Sequence, residues 1–265
     1  MTGKPLLLVA ATLVAAATAL AGNDFLWLSY GKTIKGRDGS ATLPLTVKFG
    51  EFPGREIPLA MANIKAYCSK DGEAFQSVPL KDGLVKIKAG KTCRHEVVVE
   101  AEAGGRHYSA ATVFMLYGKG GSAPPDAVPA APRNHLGLVM QSRFNYWPET
   151  GKPFTLACSF DGKPLPGAPL ELHDANLPTV ELRSGQDGSY AYLPPDDKRL
   201  NWQGETAFKE LVAVARHGAH CSSYTHILHR ARYGNNRLGP GLALFGAALA
   251  ATLGGAVWTR RRGLA

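Results

Sequence analysis

The sequence has no H-E-x-x-H run, no nucleophile elbow, no phosphate-cradling glycine loop and no dinucleotide-binding fingerprint. Serine, histidine and aspartate all occur, but in no recognisable triad arrangement, so the chain is read as not an enzyme. It has no C-x-x-C spacing, which argues against a thiolate metal site. Between its two ends it has no convincing amphipathic helical stretch. Charge of neither sign is concentrated. The 30 Lys+Arg and 21 Asp+Glu leave +9, and without Lys4, Arg260, Arg261 and Arg262 the balance is 26 against 21, a surplus of five. With no dense basic stripe, nucleic acid is excluded as a partner. A disordered chain is excluded too, because 45% of the residues are hydrophobic and only 19% charged. The 30 glycines and 18 prolines follow no Gly-X-Y repeat, which removes collagen.

Long apolar runs are present only at the ends. Residues 1–21 carry one lysine, an apolar run and Ala19-Leu20-Ala21, the small-x-small pattern of a signal-peptidase site. A cleaved secretory signal is expected, with an uncleaved anchor as the alternative. At the other end Leu238–Trp258 is 21 residues without a charge, followed by Arg260-Arg261-Arg262. That length spans ~30 Å of hydrocarbon at 1.5 Å per residue, and the arginines should stay in the cytoplasm. The expected topology is a single-pass protein of the bacterial inner membrane. Its spanning helix is 238–259, its cytoplasmic tail 260–265, and its ectodomain lies in the periplasm or extracytoplasmic space. Gly246, Ala250 and Gly254 form a small-residue stripe on which a partner helix, such as a permease subunit, can pack.

Four cysteines in an exported segment suggest two disulfides. Three pairings are possible. The proline-rich segment between the second and third cysteine points to Cys68–Cys93 and Cys158–Cys221, each adding roughly 3–4 kcal/mol.

The interior reads as all-β. Leu43, Leu45, Val47 and Phe49 alternate with polar residues, as do Val85 and Ile87. Pro44 lacks a donor, which predicts an edge strand. Gly104-Gly105 and the run His217-Gly218-Ala219-His220 read as hairpin turns. The segment Gly118–Pro132 holds four prolines and breaks any regular element. The expected organisation is two tandem Ig-like or transthyretin-like β-sandwiches, 22–117 and 135–232, with a linker at 118–134 and a stalk at 233–237.

Half of the eight histidines fall in one stretch: His217, His220, His226 and His229. Neutral imidazole ligates nickel, cobalt, copper or zinc, so these four are the candidate metal ligands. His217 and His220 bracket a turn and can approach one another. His226 and His229 are three apart on a strand and point to opposite faces. The plain alternative is a solvated hairpin tip. His107, near the other hairpin tip, is a weaker candidate, and His95, two residues from Cys93, reads as structural.

The turns Asp161-Gly162-Lys163-Pro164-Leu165, Gly167-Ala168 and Asp187-Gly188 resemble those of transthyretin-like or carboxypeptidase-regulatory-like β-sandwich modules. Together with Asp24, Phe25, Trp27 and Leu28 after the expected cleavage site, they also resemble a bacterial periplasmic family associated with nickel and cobalt uptake. That resemblance implies an accessory protein that captures Ni²⁺ or Co²⁺ and presents it to a membrane permease. The family's leading histidine is Asn23 here, which leaves the C-terminal histidines as the ligand candidates. The alternative is a structural or adhesive cell-envelope scaffold that binds no metal.

Overall fold

The computed structural model describes residues 23–58, 62–120, 135–141, 150–195 and 208–229. The expected signal peptide, most of the linker 118–134, the stalk, the spanning helix 238–259 and the tail lie outside the described residues. No helix among the described residues is long and apolar enough to cross a membrane.

The first half contributes β1 (Phe25–Tyr30), β2 (Ile34–Lys35), β3 (Ala41–Gly50), β4 (Ala62–Lys70), β5 (Gln76–Val78), β6 (Leu80–Lys81), β7 (Leu84–Ala89), β8 (Cys93–Ala103) and β9 (Arg106–Leu116). The second half contributes β10 (Leu136–Met140), β11 (Phe154–Phe160), β12 (Lys163–Pro164), β13 (Pro169–Asp174), β14 (Leu177–Arg183), β15 (Ser189–Tyr192), β16 (Phe208–His217) and β17 (His220–His229). The all-β sandwich expectation holds. Both expected hairpin turns do as well. Gly104 and Gly105 carry φ of 57° and 73° and close β8 onto β9 with Ala103 opposite Arg106, the positive-φ pair that a two-residue hairpin requires. Gly218-Ala219 closes β16 onto β17, with His217 opposite His220.

The two sandwiches are not separate bodies. One sheet of eight strands, ordered β14-β13-β16-β17-β9-β8-β4-β5, runs through both halves. The join is a parallel pairing of β17 with β9, from His220 opposite His107 to Thr225 opposite Thr112. A smaller sheet, β1-β3-β7-β6 with β2 beside β3, covers one face, and a third, built from β10, β11, β12 and β15, covers the other. The middle strands therefore feed two cores. Val212, Val214 and Cys221 enter the core shared with β1, β3 and β7. Leu211, Ala213, Ala215, Tyr224 and Leu228 enter the core shared with β10 and β11. A strand covered on both faces needs no polar face, and Leu211 through Ala215 are all buried.

Pro44 is also placed differently from expectation. Its strand, β3, lies inside its sheet, between β1 and β7. The proline sits where β1 ends and β2 begins, at Gly31, whose N–H donates to the Pro44 carbonyl at 2.9 Å. No strand ladder runs opposite the missing donor there. A Cβ on Gly31 would meet Pro44 Cγ at 2.7 Å, so the close approach requires glycine.

Strand β1 explains the polar residues Ser223 and Thr225 inside a buried strand. β1 pairs with β3 on one side only, which leaves its other backbone edge open. Side chains of the large sheet close that edge. Ser223 Oγ donates to the Leu26 carbonyl, Leu28 N–H donates to Thr225 Oγ1 at 3.3 Å, and Tyr30 N–H donates to Glu210 Oε1 at 2.7 Å. Each bond satisfies a backbone group that burial would otherwise strand. Just before β1, Arg216 donates to the Asn23 carbonyl at 2.9 Å and to Glu171 Oε1 at 2.5 Å. His173 and Arg216 together hold the Glu171 carboxyl down at about 2. Phe25, Leu26, Trp27 and Leu28 are fully enclosed, so this apolar segment is core.

Candidate functional site at the hairpin tips

The turns β8–β9 and β16–β17 come together because β9 and β17 are paired in parallel, so both strands begin at the same end of the sheet. This register sets His107 directly across from His220. Their rings stack, with centroids 4.9 Å apart and planes 15° from parallel. His135, just before β10, lies 5.2 Å from His220 by ring centroid. Phe160, at the end of β11, packs against His217 at 4.6 Å and His220 at 5.4 Å. Two carboxylates hold the outer imidazoles: Glu102 lies 3.1 Å from His107 Nδ1, and Asp161 2.5 Å from His135 Nδ1. Partial burial lowers the pKa of His220, and His107, His135 and His217 lower it further because none tolerates a second charge beside it. Beside the cluster lies a cleft of about 690 Å³ whose lining includes Lys65, Glu100, Glu102, His107, His135 and His220.

The four expected metal ligands do not converge. His217 and His220 sit at the tip. His226 is six residues further along β17, roughly 20 Å at 3.3 Å per residue. It is buried in the second core beside Phe154, with centroids 5.3 Å apart. His229 pairs with Phe208 at the far end of the strand. Among the described residues no group of three or more His, Cys, Asp or Glu is arranged to hold a metal ion. The four-histidine ligand set is therefore corrected, because the strand carries His226 and His229 away from the tip. The histidines are close in sequence, but an extended strand at about 3.3 Å per residue spreads them along its length. The residues that do join His220, namely His107 and His135, come from other strands. The parallel register that brings them together has no local sequence signal.

The two disulfides are corrected as well, since all four cysteines are free thiols. Register explains the first pair. Cys68 lies opposite Val97, four residues along β8 from Cys93, so their Cα atoms are separated by roughly 13 Å along the strand. A disulfide needs less than about 7 Å. His95 fills the space between, its Nδ1 3.5 Å from Cys68 Sγ and its Nε2 3.1 Å from Cys93 Sγ. The second pair is divided by the large sheet itself: Cys221 belongs to one core and Cys158 to the other. Burial pushes the Cys68 thiol up to about 12 and the Cys221 thiol to about 11, and raises Cys93 and Cys158 too. These are unreactive packing groups. His95 stacks on Phe114 with centroids 5.6 Å apart, and burial lowers its pKa to about 4, in keeping with a structural role.

No protein-family model matches the chain, and no curated protein matches it. Solved structures to which it is similar include a two-domain fibronectin type-III segment of chicken tenascin, with 11% identity, TM-score 0.21, and coverage of 76% of this chain and 97% of that one. Another is the set of fibronectin(III)-like modules of Clostridium thermocellum CbhA, with 10% identity, TM-score 0.24, and coverage of 78% and 96%. A third is the native alpha-2-macroglobulin of E. coli, with 13% identity, TM-score 0.25, and coverage of 79% of this chain and 14% of that one. At such scores the likeness carries no argument, and the sandwich assignment rests on the sheets themselves. Nothing in these comparisons connects the chain with nickel or cobalt uptake.

Proposed function

We propose that this chain is a structural or adhesive scaffold of the cell envelope, working without a bound metal. One observation supports the reading above the others: the eight-stranded sheet that passes through both halves. Two sandwiches on a free linker behave as beads and orient independently. Two sandwiches that share a sheet, with β1 of the first half bonded to β16 and β17 of the second, hold their outer surfaces in one fixed relation. A fixed relation is what a spacer or a presenting surface needs. The four thiols are buried or half-buried with pKa values raised by burial, so they offer no nucleophile.

Native-state hydrogen exchange on the full chain tests this. The amides of Ala110 in β9 and Ala213 in β16 should exchange through one global opening, with the same free energy. Separate values for the two halves, or two resolved unfolding transitions, would overturn the single-body scaffold.

A further inference from the structure

We propose that the cleft at the hairpin tips binds a neutral, hydroxyl-rich sugar chain. The proposal deepens the adhesive form of the scaffold reading and rests on it. The cleft, about 690 Å³, is within the ~300–1,000 Å³ of small-ligand sites, but its lining is mostly polar. Its chemistry is ordered by the strand register. Glu100 is flanked by Lys65 across one ladder and Ser109 across the other, and Glu102 by His107. Asn63 adds an amide at the same end of β4. Donors and acceptors are thus interleaved.

That interleaving selects the ligand by exclusion. An anion would face the carboxylates of Glu100 and Glu102. A cation would face Lys65. An apolar ligand would strip water from all of these groups and return no hydrogen bond. Hydroxyl groups each donate and accept, so a polyol can answer a carboxylate, an ammonium, an amide and a neutral imidazole side by side. The exposed His107 ring, backed by His220, adds a flat surface on which the C–H face of a sugar ring can lie. His107 and Glu102 are both more than half exposed, so the hydrogen-bonding edge is open to an incoming chain.

The test uses the full chain and five probes: the β-1,4 and α-1,4 tetrasaccharides of glucose, the β-1,4 tetrasaccharide of N-acetylglucosamine, tetralysine and tetraglutamate. Calorimetric titration should give a dissociation constant below about 10 mM for at least one sugar. The Glu102→Gln variant keeps the shape, removes the charged acceptor, and should weaken that sugar by about tenfold. Its unfolding midpoint should match the parent's, because Glu102 is exposed. The proposal is overturned if no sugar binds, if Glu102→Gln binds the sugar unchanged, or if tetralysine or tetraglutamate binds in preference to every sugar. The hydrogen-exchange result for the two halves is independent of all three outcomes, so the sugar site can fail while the scaffold stands.

Discussion

Strands β7 and β16 are built by different rules. In β7, Val85, Ile87 and Ala89 are buried while Lys86 and Lys88 are exposed, a plain two-residue alternation on a sheet with one wet face. In β16, Leu211 and Val212 are neighbours and both are buried, one in each core. The difference arises because a sheet covers each face of β16. Strand β17 adds a third rule. It too is covered on both faces, yet it carries Ser223 and Thr225, because the open edge of β1 lies against them. Burial alone therefore does not choose between apolar and polar side chains in this molecule. The choice follows from whether the neighbouring element already has its backbone bonds.

The sharpest way to break this comparison is paired truncation. Leu211→Ala should cost about 3–4 kcal/mol and Val212→Ala about 2 kcal/mol, although the two residues point to opposite faces. Lys86→Ala, at the exposed position of β7, should stay within about 0.5 kcal/mol. Chemical denaturation of the three variants checks it. If either Leu211→Ala or Val212→Ala proves as mild as Lys86→Ala, one of the covering sheets is not where it is described.

His95 sharpens the comparison from the outer part of the sheet, where a polar ring is buried between two thiols in the first core. Burial lowers its pKa from 6.5 to about 4 in the folded chain. The unfolded chain takes up the proton first as pH falls. The stability held by the neutral ring is thus complete above about pH 6.5 and declines down to about pH 4, by up to about 3 kcal/mol. Denaturation at pH 7.5 and pH 4 should show this loss in the parent, and a clearly smaller loss in His95→Gln.

The smallest effect belongs to the edge of β1. Thr225→Val keeps the side-chain shape but takes the acceptor from Leu28 N–H, leaving a buried amide without its partner. The expected cost is about 1–2 kcal/mol, with amide exchange at Leu28 accelerated more than exchange at Leu45. An unchanged or higher stability would show that water, and not Thr225, serves that amide.

Much of the first half was readable from residues. The alternation in β3 and β7 and the Gly104-Gly105 turn describe local geometry, which a local pattern encodes. Pro44 misleads because the rule that places proline at an edge concerns one missing donor, and a break between two short strands serves as well as an open edge. The cysteines mislead for a related reason. The proline-rich segment between the second and third cysteine points to one bridge on each side of it, but strand register spaces one pair apart and a whole sheet separates the other. At the hairpin tips, His217 and His220 were readable as neighbours because a two-residue turn joins them. His107 and His135 were not, since residues far off in sequence meet there.

The sequence by itself determined the strands, their turns and the all-β class, because side-chain alternation and turn chemistry act within a few residues. Only the tertiary structure decided that the two halves share a sheet, that β1 closes on hydroxyl groups of β17, and that His220 meets His107 in place of His226. Those outcomes depend on contacts between residues 113 apart, as with Ser109 and Ser222, or 197 apart, as with Leu28 and Thr225, where stability comes from the joint burial of many groups and no single stretch of residues carries the instruction.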